Sequence, residues 1–221
     1  MALPALTAFA TRANAYQGRI KENGAINWDA FQEAIAKEAA KQHLDSWSEV
    51  EYVKRASALM KRLNIKDKGL EAAFLQAKRG IGNKRVDFVP MIEKKKDYHV
   101  TLLQFEQGEE ISHHDHPEMT GVILNATGEV EVWNYDMLAE REDKEDVLLL
   151  QTQHAMLKKG EVSTLTSKER NIHRLKAKKF TQLIDIFAPP YDKQKIRDSS
   201  WFDVDPEGYK GQMEIYQAKR R

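Results

Sequence analysis

A chain of 221 residues with 35 Lys and Arg against 34 Asp and Glu carries a formal charge of +1, and that balance argues for neither nucleic acid nor an anionic membrane as partner. Mean hydropathy is −0.65, and no apolar run approaches the roughly 20 residues that a membrane helix needs. With no cysteine, disulfides, thiolate metal ligands and a cysteine nucleophile are excluded together.

The chain opens MALPALTAFATRANAYQGRI, small and apolar residues followed by Arg12 and Arg19, with no acid before Glu22. Such acid-poor composition faintly resembles an organellar transit peptide, whereas a secretory signal wants positive charge ahead of its apolar stretch. Residues 1–24 read as a flexible or docking terminus and the protein as cytoplasmic. From residue 25 to 80 the period is helical. Trp28, Phe31, Ile35 and Ala39 recur at steps of three and four after Asn27, a candidate cap. Ser48 and Glu51 have capping-box spacing ahead of Val53, Ala56, Leu59, Met60 and Leu63. Asp67 precedes Leu70, Phe74 and Ala77, a stripe stopped by Gly80. The spacing predicts two or three amphipathic helices that lay their apolar faces on their own domain.

Gly80 to Lys96 reads as a separator, with Lys94-Lys95-Lys96 as a solvated loop. From 81 to 221 a β domain with a C-terminal extension is expected. Tyr98–Phe105, Met119–Asn125, Glu129–Tyr135, Val147–Leu150, Val162–Leu165, His173–Ala177 and Phe180–Phe187 are short strand candidates, with Ala139–Asp146 as a charged loop. Many short strands with turn residues between them predict a sandwich or small barrel. In the tail, Trp201, Phe202 and Tyr209 are expected to pack against the helices rather than cover the barrel mouth, and residues 217–221 to fray.

Seven histidines are present, of which His43, His99, His113 and His154 read as surface or satisfied core residues. Within Ile111-Ser112-His113-His114-Asp115-His116-Pro117 the pattern differs. On an extended strand His114 and His116 share one face while His113 and Asp115 take the other. The spacing Gly108, His114, His116, Gly121, Gly128 resembles the first metal motif of the cupin superfamily, and Gly160 followed by His173 resembles the second. That resemblance implies a mainly β protein, a double-stranded β-helix or jelly-roll barrel carrying the N-terminal helices. Gly121 stands where the superfamily normally has glutamate. Three neutral imidazoles without a carboxylate leave a divalent ion its full charge and about three open positions, which suits a non-haem iron that admits substrate and dioxygen together. Zinc is the rival on ligand type, and nickel or manganese are alternative occupants of a purified protein.

His114-Asp115-His116-Pro117-Glu118-Met119-Thr120, then residues 128–136 (GEVEVWNYD), then Asn171-Ile172-His173, then residues 183–191 (LIDIFAPPY) resemble successive blocks of the cysteamine dioxygenase and plant cysteine oxidase family. This resemblance runs from about Asn64 to Tyr191. It implies a cupin thiol dioxygenase that takes an aminothiol, either cysteamine or an N-terminal cysteine, to the sulfinic acid with Fe2+ and dioxygen. His114, His116 and His173 would be the iron ligands, Asp185 the family's aspartate near the iron, and Tyr191 a wall of the pocket. Independently, Asp185 shares a strand face with Leu183 and Phe187, where an acid needs a partner or a function. Hydrogen bonding to a ligand histidine is the preferred role for it.

Two positions depart from the family: Glu118 stands where it has glycine, and Ala188 where it usually has glycine before the prolines. No nicotinamide or flavin fingerprint is visible. A different metal-dependent cupin enzyme acting on a non-thiol substrate, or a non-catalytic binding cupin, are the alternatives. A monomer is expected.

Overall fold

The computed structural model describes residues 24–80, 86–92, 97–140, 145–189 and 199–221. The first twenty residues, Lys94-Lys95-Lys96, residues 141–144 of the charged loop, and Tyr191 lie outside the described residues.

Helices form where the caps and the period place them: α1 (Trp28–Ala39), α2 (Glu49–Arg62) and α3 (Lys68–Gly80), with a 3-10 turn at Ala40–His43 after α1. The Ala30 amide donates to Asn27 Oδ1 at 2.8 Å, the Glu51 amide to Ser48 Oγ at 3.3 Å, and the Gly69 amide to Asp67 Oδ1 at 3.1 Å. Each side chain satisfies an orphan donor at a helix start, a contact that typically contributes about 1 kcal/mol. The stripes Phe31, Ile35, Ala39, then Tyr52, Val53, Ala56, Met60, then Leu70, Phe74, Ala77 are buried together. They share one core with Val100, Leu102, Val122, Leu124, Ile184 and Ile186 of the sheet beneath, so the helices cover their own domain.

Among the described residues eleven strands follow: β1 (Val86–Ile92), β2 (His99–Phe105), β3 (Glu110–His114), β4 (Thr120–Thr127), β5 (Glu129–Glu140), β6 (Asp146–Lys158), β7 (Val162–Leu165), β8 (Ile172–Ala177), β9 (Thr181–Ala188), β10 (Phe202–Gly208) and β11 (Ile215–Arg220). They make one sheet ordered β1-β2-β9-β4-β7 and another ordered β10-β11-β6-β5-β8-β3, with antiparallel pairing throughout. From β3 to β9 the chain passes back and forth between the two sheets, which is the double-stranded β-helix of the cupin fold.

Strand β9 shows how the layers divide. All eight of its residues are buried. Ile184, Ile186 and Ala188 face the helices, whereas Leu183 joins the barrel interior with Leu103, Phe105, Ile123, Val132 and Leu175. Both faces are covered, so the sequence reads as a continuous apolar run interrupted by Asp185.

Several expectations are corrected. The separator between Gly80 and Lys96 contains β1, an edge strand whose register is irregular between Pro90 and Ile92, the setting in which a sheet admits a proline. Ala139 and Glu140 belong to β5 and Asp146 to β6, so the charged loop is shorter than expected. The tail neither frays nor packs on the helices: β10 and β11 extend the second sheet, and Phe202 and Ala218 are buried with Tyr135, Val147, Leu149 and Ile172.

Glu118 lies in the turn after His116 with φ 59°, the left-handed region that glycine enters freely and other residues enter at a cost of about 1 kcal/mol or more. Its side chain is exposed and faces solvent. Glu118→Gly is expected to raise stability by about 1 kcal/mol, measured by chemical denaturation; an unchanged midpoint would show that the turn carries no strain.

Candidate metal centre

The site grows from one rung of the β3–β8 ladder, where His114 pairs with His173. Strand β3 ends at His114, and the chain then turns through His116, whose carbonyl accepts from the Met119 amide at 3.1 Å. The next rung in that register would join His116 to Asn171, and the Asn171 side chain completes it. Its Oδ1 accepts from the His116 amide at 2.8 Å, and its Nδ2 donates to the His116 carbonyl at 3.0 Å and to Thr166 O at 2.7 Å. A side-chain amide thus continues the ladder beyond the strand and holds His116 level with the other two histidines.

The three imidazoles are buried and converge. Nε2 of His173 lies 3.0 Å from Nε2 of His116 and 3.2 Å from Nε2 of His114. Two ligands on one ion with bonds of about 2.1 Å and a right angle between them are about 3.0 Å apart. At His114 the Nδ1 lies 2.8 Å from the Ser112 carbonyl oxygen, which fixes the proton on Nδ1 and leaves the Nε2 lone pair facing its neighbours. Burial, and then the neighbouring imidazoles, hold His116 and His173 well below the usual imidazole range. Three imidazoles held neutral in a dry site, with their Nε2 atoms converging on one point, are a donor set for a cation, and the residues fit a divalent metal.

Among the described residues no carboxylate joins the donors, and Gly121 accounts for the position where the superfamily has one. A Cβ at Gly121 would stand 2.6 Å from Cε1 of Phe187. The Phe187 ring lies 4.5 Å from the His116 ring, centroid to centroid, and fills the place a longer side chain at Gly121 would need. His99, expected as a satisfied core residue, is buried behind this layer with its ring 5.6 Å from Phe187. His43 and His154 are surface residues beside Asp97 and Glu131, at 2.6 and 2.7 Å.

Beside the histidines is a small cavity of about 10 Å3, room for about one water, whose lining includes His173, Asp185, Asn134, Ser163, Ile123, Leu165 and Phe187. Asn134 and Ser163 satisfy each other, Ser163 Oγ donating to Asn134 Oδ1 at 3.2 Å, and Asn134 Nδ2 donates to Arg170 O at 3.0 Å. Asp185 differs. Its Oδ1 is buried and has no hydrogen-bond partner among the described residues, and burial pushes its pKa well above the carboxylate range. The expected hydrogen bond from Asp185 to a ligand imidazole is not made; the acid faces the cavity instead.

A family model described as PCO_ADO matches residues 53–220, well over half of the chain. The chain belongs to that family. It is the cysteamine dioxygenase and plant cysteine oxidase group, and the match extends to the C-terminal strands, past Tyr191 where the sequence blocks end. A curated relative, "Probable 2-aminoethanethiol dioxygenase" of Dictyostelium discoideum, is 25% identical over 150 residues, spanning 66% of this chain and 68% of its own length. Among solved structures, an RmlC-like cupin protein from Desulfovibrio desulfuricans is 16% identical with a TM-score of 0.38, covering 50% of this chain and 89% of its own. KdgF from Halomonas sp. is 15% identical with a TM-score of 0.39, covering 51% and 86%.

Within this PCO_ADO protein, sequence reasoning located the histidines and Asp185 but assigned no role to Asn134, Asn171 or Phe187, and it expected Trp201 on the helices, whereas the indole lies on His114. Asn171 was legible only as part of a family block, since its role depends on a register that no local pattern encodes.

Two outcomes are expected. Gly121→Ala forces the Phe187 ring to move and destabilises the protein by about 1–3 kcal/mol in denaturant melts, with no change if the ring can step aside freely. A carboxyl whose pKa folding raises above its ordinary 3.8 contributes stability at low pH and loses it as pH rises through the folded-state value. Asp185→Asn removes that loss, so the Tm advantage of the metal-free variant over its parent should be largest near pH 8 and shrink toward pH 4; a gap independent of pH would show that Asp185 is not buried as described.

Proposed function

We propose that this protein is an iron-dependent thiol dioxygenase that converts an aminothiol, cysteamine or the N-terminal cysteine of a peptide, to the sulfinic acid. The observation that carries this reading is a buried three-imidazole centre without a carboxylate, lying next to an unpartnered acid in one small cavity. Membership of a dioxygenase family supports the reaction class. The overall change, R–SH plus O2 to R–SO2H, needs no other oxidant or reductant.

His114, His116 and His173 would hold the iron, which when bound supplies the redox chemistry between thiol sulfur and dioxygen. The chain's own residues orient the reactants and keep them dry. Ile123, Leu165 and Phe187 make one apolar side of the cavity and exclude water from the reacting atoms. Asp185 offers an acceptor on the same side as His173, and a substrate ammonium there would restore its charge and satisfy the oxygen that lacks a partner. This gives Asp185 the task of reading the amine, in place of orienting a histidine. Asn171 holds the backbone of His116 so that the donor set keeps its spacing.

The test is to reconstitute the protein with ferrous iron without oxygen, add cysteamine or a Cys-initiated peptide, admit air, and weigh the product. A gain of two oxygen atoms is expected, and no sulfinate from either class of thiol would overturn the proposal. Asp185→Asn should retain its iron yet lose about 100-fold or more in turnover.

A further inference from the structure

Trp201 is the aromatic residue that the metal chemistry above leaves unused, and it lies on a ligand. Its indole stacks on the His114 imidazole, with centroids 5.0 Å apart and planes 28° apart. The two residues also form an isolated antiparallel bridge, so this position meets the end of β3 through backbone as well as ring. The flanking residues tie the contact down. The Asp115 amide donates to Ser200 O at 3.1 Å, and the Ser200 amide donates to Asp115 Oδ1 at 2.6 Å. On the other side, the Arg221 amide donates to Trp201 O at 2.8 Å, which fixes the indole's backbone to the end of the chain. Phe202, the next residue, is fully buried in the small core between the C-terminal strands and Tyr135.

These contacts have a single geometric result. Strand β3 is an edge of its sheet, and the chain ahead of β10 closes that edge where the metal strand ends. One face of the His114 ring is covered by indole, and Trp201 itself remains partly exposed at 41%. An imidazole already held at Nδ1 by Ser112 and pressed on one face by an indole has little freedom to rotate away from its neighbours.

We propose that Trp201 is a positioning residue of the three-histidine centre: it locks the His114 ring toward the metal and shields it from water, and the Asp115–Ser200 pair holds it in place. The C-terminal strands are therefore part of the metal site, because they anchor the residue that covers a ligand. The inference rests on the metal half of the proposed function and is independent of the thiol half.

The test uses cobalt(II) and the full-length protein, with neither thiol nor dioxygen chemistry involved. Cobalt added to the metal-free parent should quench tryptophan fluorescence, since a paramagnetic ion would sit within a ring's width of the indole, and Trp201→Phe should lose most of that quench while binding cobalt nearly as tightly. Trp201→Ala should bind cobalt about tenfold or more weakly and release it faster to a chelator, the scale typical when the outer support of a ligand is removed. Asp115→Ala, which keeps the indole but frees its strap, should fall between them. A quench in Trp201→Phe equal to that of the parent, or a Trp201→Ala protein with parental cobalt affinity, would overturn the proposal. The cobalt affinity of the parent tests the metal site itself, so failure of the site and failure of the inference give different results.

Discussion

Pairing of His114 with His173 across β3 and β8 is the constraint on which the rest of the site depends. Antiparallel strands bring residues that are distant in sequence side by side with a fixed facing direction, and a one-residue slip of either strand would send its imidazole to the opposite face. The apolar residues of the same strands resist that slip: Leu175 and Ala177 would leave the barrel interior with His173, and Ile111, which an irregularity in β3 puts on the same face as His114, would leave with that residue. Register is thus set by burial and the metal donors are carried along with it. His116 lies one rung further on, beyond the end of the strand, and the Asn171 amide supplies the hydrogen bonds that backbone would otherwise make.

Around this rung the protein tolerates features that oppose its own stability. Three imidazoles are crowded together out of water, two of their Nε2 atoms 3.0 Å apart, and an acid without a partner is buried beside them. Gly121 gives up a side chain so that Phe187 can occupy the interior. What offsets these costs is the size of the two apolar layers, the helical face on one side of the first sheet and the barrel interior on the other. A site this poorly satisfied in isolation is well suited to partners that bring positive charge, a metal ion among the imidazoles and an ammonium beside Asp185.

Much of the fold was legible because its signals are local. The helices have period, caps and a terminal glycine, and each of these is read within a few residues of where it acts. Strands buried on two faces, such as Thr181–Ala188, announce themselves by composition. What was missed is non-local. Strand β1 carries a proline, so only its pairing with β2 identifies it. The outer half of β5 is exposed, and Ala139 and Glu140 look like a loop until they pair with β6. The same division holds in the site. His114 and His116 were legible by spacing and Asp185 by its incongruous surroundings, but the Asn171 clasp, the Phe187 ring over Gly121 and the indole on His114 each depend on segments far apart in the chain.

The most direct test of the central claim, that three imidazoles hold an iron with positions open to a thiol, is X-ray absorption at the iron edge of the anaerobic ferrous protein, before and after cysteamine is added. The account predicts a shell of nitrogen and oxygen with imidazole scattering at first, and a new sulfur neighbour once the thiol is present. A sulfur-free shell that does not change on adding thiol would contradict it.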